Sequence, residues 1–154
     1  MITNYDTITV NADTTLEIPA GRTLTISNIA FSGITVNAGK TLTITGDSVL
    51  DIKNRQTGAS MGINNSGTVE LASGTVIIEN TSGYGIHNAS GASLTIDGAA
   101  VEIKTSETMS GTGIHNLGTV ILHSGKGSLG AAGRNRRHQW QRRQACAEEY
   151  HRQI

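Results

Sequence analysis

Aromatic side chains are nearly missing from this 154-residue chain: one Phe, one Trp and three Tyr make up 3% of it. A globular core leans on such residues for volume, so their scarcity favours a core that repeats one narrow aliphatic cross-section. Cys146 is the only cysteine, which excludes an intramolecular disulfide and a cysteine-based metal site. No stretch approaches the ~18 apolar residues of a membrane helix. The opening Met-Ile-Thr-Asn-Tyr-Asp lacks a basic region followed by an apolar run, so the export signal of a secreted parent is expected outside this chain. Net charge is also missing, but only as a balance. Residues 1–127 hold six basic residues against ten acidic ones, about −4, while 128–154 hold six Arg against Glu148 and Glu149, about +4.

What the chain has instead is Gly, Thr, Ser, Asn, Val and Ile arranged around one phrase. Gly-Ile-x-Asn occurs at Gly62–Asn65, Gly85–Asn88 and Gly113–Asn116, and a looser Ile-Thr-Val-Asn at Ile8–Asn11 and Ile34–Asn37. The lead isoleucines at 8, 34, 63, 86 and 114 are 26, 29, 23 and 28 residues apart. A period in the range of roughly 20–50 residues marks a stacked, quasi-one-dimensional architecture.

The segments between follow strand periodicity. Thr7-Ile-Thr-Val10, Thr15-Leu-Glu-Ile18, Thr23-Leu-Thr-Ile26, Thr41-Leu-Thr-Ile44, Thr68-Val-Glu-Leu71, Ser93-Leu-Thr-Ile96 and Thr119-Val-Ile-Leu122 are short and β-branched, and most alternate polar with apolar. Gly, Asn or Asp follows closely, as at Gly21, Gly39, Asp47, Gly74, Gly98 and Gly125, supplying the bends that turns require. An antiparallel sandwich also has many short strands, but it has no reason to repeat one phrase five times. A coil of parallel strands does, because like residues then stack about 4.8 Å apart. The expectation is an all-β, single-stranded parallel β-helix (β-solenoid) of about five rungs over residues 1–127, with the segments 55–61 and 105–112 inserted between strands.

These phrases, followed by strands such as Ala92-Ser-Leu-Thr-Ile96, resemble the right-handed parallel β-helix repeats of bacterial surface and autotransporter-passenger proteins. The resemblance spans about residues 7–127. It implies a truncated extracellular or cell-surface scaffold, adhesin- or stalk-like, with a carbohydrate or host-cell-surface ligand as partner.

No residue set spells out a catalytic, cofactor or metal site, and none is expected. The asparagines Asn11, Asn37, Asn65, Asn88 and Asn116 are expected to form one structural column, since stacked amides hydrogen-bond along such an axis. His87 and His115 take the same place in adjacent rungs and are the polar-site candidates, with two imidazoles able to share a cation or a proton. A polysaccharide-active enzyme of this fold needs clustered carboxylates or a calcium site. Of the acids, Asp47 and Asp97 sit beside turn glycines, Glu70 and Glu102 point to solvent, and Asp51 completes the set. Ice binding is raised by the Thr-x-Thr pairs (Thr7/Thr9, Thr23/Thr25, Thr41/Thr43), but Glu17 and Glu70 are expected to interrupt the column of Thr41 and Thr43.

Residues 128–154 change language, holding the only Trp and Cys and no strand pattern. Taken literally they are a basic segment, helical or disordered, with nucleic acid or an acidic membrane as the disfavoured partners. Back-translated from Asn135 and read one base later, permitted codons give Thr-Gly-Gly-Ile-Asn-Gly-Asn-Gly-Gly-Lys-Leu-Val-Leu. That is another rung, whose isoleucine falls at the place of His138, 24 positions after Ile114. The tail therefore reads as a frameshifted continuation of a longer solenoid. An uncapped solenoid end beside it invites end-to-end self-association.

Overall fold

The computed structural model describes residues 2–4, 7–29, 31–54, 60–81, 83–105, 111–123 and 129–132. They wind into a parallel β-solenoid, with no helix among the described residues. Rung one comprises β1 (Ile2–Asn4), β2 (Ile8–Val10) and β3 (Thr14–Glu17). Rung two comprises β4 (Thr23–Ile29), β5 (Ser32–Val36) and β6 (Thr41–Thr45). Rung three adds β7 (Val49–Asn54), β8 (Met61–Asn65) and β9 (Thr68–Leu71). Rung four adds β10 (Thr75–Thr81), β11 (Tyr84–Asn88) and β12 (Ser93–Ile96). Rung five holds β13 (Ala100–Thr105), β14 (Thr112–Asn116) and β15 (Thr119–Leu122), and β16 (Leu129–Ala132) opens a sixth.

Each rung contributes one strand to each of three sheets. The first sheet runs β1-β4-β7-β10-β13-β16, the second β2-β5-β8-β11-β14 and the third β3-β6-β9-β12-β15. All pairings are parallel. The lead isoleucines Ile8, Ile34, Ile63, Ile86 and Ile114 are successive register partners, as their spacing predicts. The first sheet stacks Ile26, Ile52, Ile78 and Ile103; the third stacks Leu42, Val69, Leu94 and Val120. Except for Ile8 and the end residues Ile114 and Val120, which are partly buried, these side chains are almost wholly buried in one core. Burying each stabilises the fold by about 1.5–3 kcal/mol. Apolar volume is thus repeated along an axis, and aromatics are unnecessary.

The unit of repetition is two rungs. The corner between the second and third sheets is long in rungs two and four (residues 37–40 and 89–92) and short in rungs three and five (66–67 and 117–118). Packing explains the alternation. A Cβ on Gly67 would lie 2.2 Å from the Lys40 carbonyl oxygen and 2.5 Å from that of Asn37; one on Gly118 would lie 2.2 Å from Ala92 O and 2.5 Å from Ala89 O. Each short corner tucks under the long one before it, and only glycine fits. The segments between the first and second sheets alternate in the opposite sense, long at 55–60 and 106–111 and short at 30–31 and 82–83. Ile34 to Ile86 is therefore 52 residues and Ile63 to Ile114 is 51. What reads as two insertions in a one-rung repeat is one feature of a two-rung repeat.

The boundary at residue 127 also moves. Residues 129–132 continue the first sheet as register partners of Val101–Lys104, so the solenoid extends into the segment that composition separates. The remainder of the tail, 133–154, lies outside the described residues, as do residues 124–128.

Gly67→Ala and Gly85→Ala are each expected to lower stability by about 1–3 kcal/mol, the usual cost of overpacking. Ser66→Ala, exposed beside Gly67, should stay within about 0.5 kcal/mol. Urea denaturation of the three variants checks this.

Candidate functional site: the outer column of the second sheet

The recurring phrase can be read position by position. Glycine comes first because the space beside its Cα is taken: a Cβ on Gly62 would stand 2.4 Å from Ile78 Cγ2 and 2.6 Å from Gly85 O, and one on Gly85 2.4 Å from Ile103 Cγ2 and 2.5 Å from Gly113 O. Isoleucine follows, facing the core. The third residue turns outward and is half-buried, as Asn64, His87 and His115. The fourth turns inward again.

That fourth residue is asparagine in rungs three to five, and the amides form a ladder. Asn65 Nδ2 donates to Asn88 Oδ1 at 2.8 Å, and Asn88 Nδ2 to Asn116 Oδ1 at 2.8 Å. Each donor amide also reaches the third sheet of the next rung, Asn65 to Ser93 O at 2.8 Å and Asn88 to Thr119 O at 2.9 Å. Asn65 Oδ1 accepts from Gly67 N–H at 3.0 Å, holding the short corner. Asn65 and Asn88 are fully buried, so these bonds satisfy groups that water cannot reach.

The five asparagines do not form one column. Counted from the lead isoleucine, Asn65, Asn88 and Asn116 stand two residues on, whereas Asn11 and Asn37 stand three on. The ladder column continues into rungs one and two as Val10 and Val36. Asn11 and Asn37 make a separate, exposed pair in which the Asn37 amide donates to Asn11 Oδ1.

The outward column of the second sheet runs Thr9, Thr35, Asn64, His87, His115. The two imidazoles stack with centroids 5.3 Å apart and planes 11° from parallel. Tyr84 joins them, 4.4 Å from His115 at 12° and 5.5 Å from His87 at 23°. His87 Nδ1 lies 3.1 Å from Asn64 Oδ1, within hydrogen-bond distance. His115 Nδ1 is covered and has no hydrogen-bond partner among the described residues. Tyr84 escapes a reading by strict alternation because Gly85 and Ile86 both face inward. That pair puts residues three apart on one face. A tyrosine directly before Gly-Ile is the signal that finds it.

The carboxylates are spread over different surfaces. Asp47 and Asp97 lie exposed at corners. Glu70, on the third sheet, accepts from Thr43 Oγ1 at 3.1 Å and charges the column of Thr43 and Thr95. Glu17 stands opposite Thr45, one position beyond the column expected for it. On the first sheet Lys53, Glu79 and Lys104 alternate down one column. Lys104 Nζ bonds Glu79 at 3.1 Å and Glu102 at 3.7 Å; Lys53 Nζ bonds Asp51 at 3.2 Å and Glu79 at 3.8 Å. The Glu79 hydrogen bond raises the Lys104 pKa above its usual 10.5, partly offset by desolvation and assisted by the charges of Glu102 and Glu79. Among the described residues no three His, Cys, Asp or Glu side chains are placed to hold a metal ion.

No protein-family model, curated protein or solved structure matches the chain.

Asn88→Ala should cost about 2–4 kcal/mol, since it strands buried groups in two rungs, while Asn37→Ala should stay under about 1 kcal/mol; chemical denaturation separates them. The raised Lys104 pKa means that its stabilising contribution is complete below pH 10.5 and is lost as pH rises through the higher folded-state value. Glu79→Gln should bring the Lys104 titration, followed by NMR, back toward 10.5.

Proposed function

We propose that this chain is a non-catalytic scaffold from a repetitive bacterial surface or secreted protein, adhesin- or stalk-like and related in style to autotransporter passengers. It works outside the cell and presents the outer column of its second sheet to a carbohydrate or other cell-surface ligand. One observation carries the reading: in rungs three and four three of the four positions in the phrase are committed to the interior, while the outward column is Thr9 and Thr35, then Asn64, then His87 and His115. A frame that keeps its core isoleucine in every rung while its outer column passes from Thr to Asn to His serves display. Among the outward residues, Asn64, His87 and Tyr84 combine amide, imidazole and aromatic surface, the mixture that suits sugar hydroxyls and C–H faces. Four of the described carboxylates suit the same reading, because Asp51, Glu79 and Glu102 are paired with lysines on the first sheet and Glu70 with Thr43 on the third.

The test has two arms. The chain is applied to an array of bacterial and host glycans, and incubated with polysaccharides while new reducing ends and unsaturated products are followed. Retention on a glycan class, reduced about tenfold or more by Tyr84→Ala with His87→Ala, supports the reading. Product release replaces it with an enzyme, and retention indifferent to these substitutions removes the outer column as the binding face.

A further inference from the structure

The end of the solenoid at rung five differs from every interior rung in three independent ways. Its core is uncovered: Leu122 is 40% exposed, whereas Leu71 and Ile96, in the same column, are 0% and 3% exposed. Leu117, in its corner, is 58% exposed. The glycine of its phrase is unexplained by its own surroundings. Gly62 and Gly85 are required because the following rung leaves no room for a Cβ, yet a Cβ on Gly113 would meet nothing within 4 Å among the described residues. Its ladder asparagine has also turned back. Asn65 and Asn88 spend their amide donors on the next rung, while Asn116 Nδ2 bonds Gly118 O in its own corner at 3.2 Å. Glycine, apolar residues and amide are all arranged for a neighbour.

β16 has already entered the first sheet against β13, so among the described residues the positions without a following strand are those of the second and third sheets. The occupant must be a strand, a corner and a strand. It must put a Gly-Ile pair against Gly113-Ile114 and an apolar alternation against Val120 and Leu122. The two-rung repeat adds a condition on length. Steps between lead isoleucines alternate, 29, 23, 28 from Ile34 to Ile114, so the next must be short. With permitted codon choices, the shifted reading of the tail gives Gly-Ile-Asn, a glycine-rich corner and Lys-Leu-Val-Leu after a step of 24, which offers the Gly-Ile pair, the apolar alternation and the short step.

We propose that the free edge of β14 and β15 is a binding surface for one strand–corner–strand segment of the repeat's own chemistry, the Thr-Gly-Gly-Ile-Asn-Gly-Asn-Gly-Gly-Lys-Leu-Val-Leu rung. Binding is β-augmentation at two sheets at once. Backbone hydrogen bonds supply the ladder, and Ile and Leu side chains cover the apolar end. Specificity lies at Gly113, where the incoming backbone takes the space that the Gly85 backbone takes beside Gly62.

The experiment mixes the full chain with a synthetic peptide of that sequence, with a scrambled peptide as control, and follows amide hydrogen exchange. The expected result is slowing of about tenfold or more at the β14 and β15 amides, equivalent to about 1.4 kcal/mol of added protection. Because the space at Gly113 is open, Gly113→Val should leave the free chain's Tm within about 2 °C and abolish the slowing. The same segment fused after residue 134 in place of the present tail should raise Tm by about 4 °C or more, effective concentration replacing affinity. The proposal is overturned if neither peptide nor fusion protects β14 and β15, or if Gly113→Val lowers the free chain's Tm as much as Gly85→Val does. A concentration-dependent dimer that the peptide does not displace assigns the edge to a second copy and also overturns it. The glycan reading is tested at Tyr84 and His87 in rung four, which the edge proposal does not use, so the two proposals fail separately.

Discussion

In-register parallel stacking requires every residue to live with its own counterparts about 4.8 Å above and below. Aliphatic side chains meet this condition by interlocking, and the isoleucine columns of the first and second sheets do so with almost no exposure. Asparagine meets it because one amide both donates and accepts, so a column of three satisfies itself internally. Charge is the hard case, since like charges one rung apart repel. The first sheet resolves it by alternating Lys53, Glu79 and Lys104 down one column. These pairs sit at the surface, where ion pairs are worth little individually. Their role is to keep the register free of a penalty.

Much of this was legible because the constraint is periodic. The isoleucine spacing predicts the register of the second sheet residue for residue, and alternation predicts most strands. Three features were not legible, each for a physical reason. The two-rung unit depends on a short corner fitting beneath a long one, a backbone contact at Gly67 and Gly118 that no hydrophobic pattern encodes. Identity puts all the asparagines in one column, although the axis counts from the isoleucine; the difference between two residues and three decides whether the amide is buried at Asn65 or exposed at Asn37. Residues 129–132 carry a weak strand signal, and only the partner strand β13 draws them into the sheet. Of the candidate site, the shared column of His87 and His115 was legible, while Tyr84 was hidden by the two inward residues that follow it.

The same constraint separates structural from displayable positions. A substitution inside a column is felt by two neighbours and by the corner it holds. One on the outward position of the second sheet meets only its column mates, and the change from threonine to asparagine to histidine along that column leaves the register intact. Outward rings couple rungs as well, because Tyr84, His87 and His115 stack upon one another. Chemical variety therefore accumulates on the outer face without cost to the frame, which is the property a repetitive display protein needs.

Stacking also has no internal stop. Each rung is completed by the next, so a solenoid ends by a change of chemistry that caps the apolar column and pairs the open edges. Rung five shows no such change: Gly113, Ile114 and Asn116 repeat the interior phrase unaltered, and Thr119–Leu122 repeats the interior strand. A cap would introduce charge where Leu122 is bare. Instead the interior pattern persists up to the last described residues of the second and third sheets.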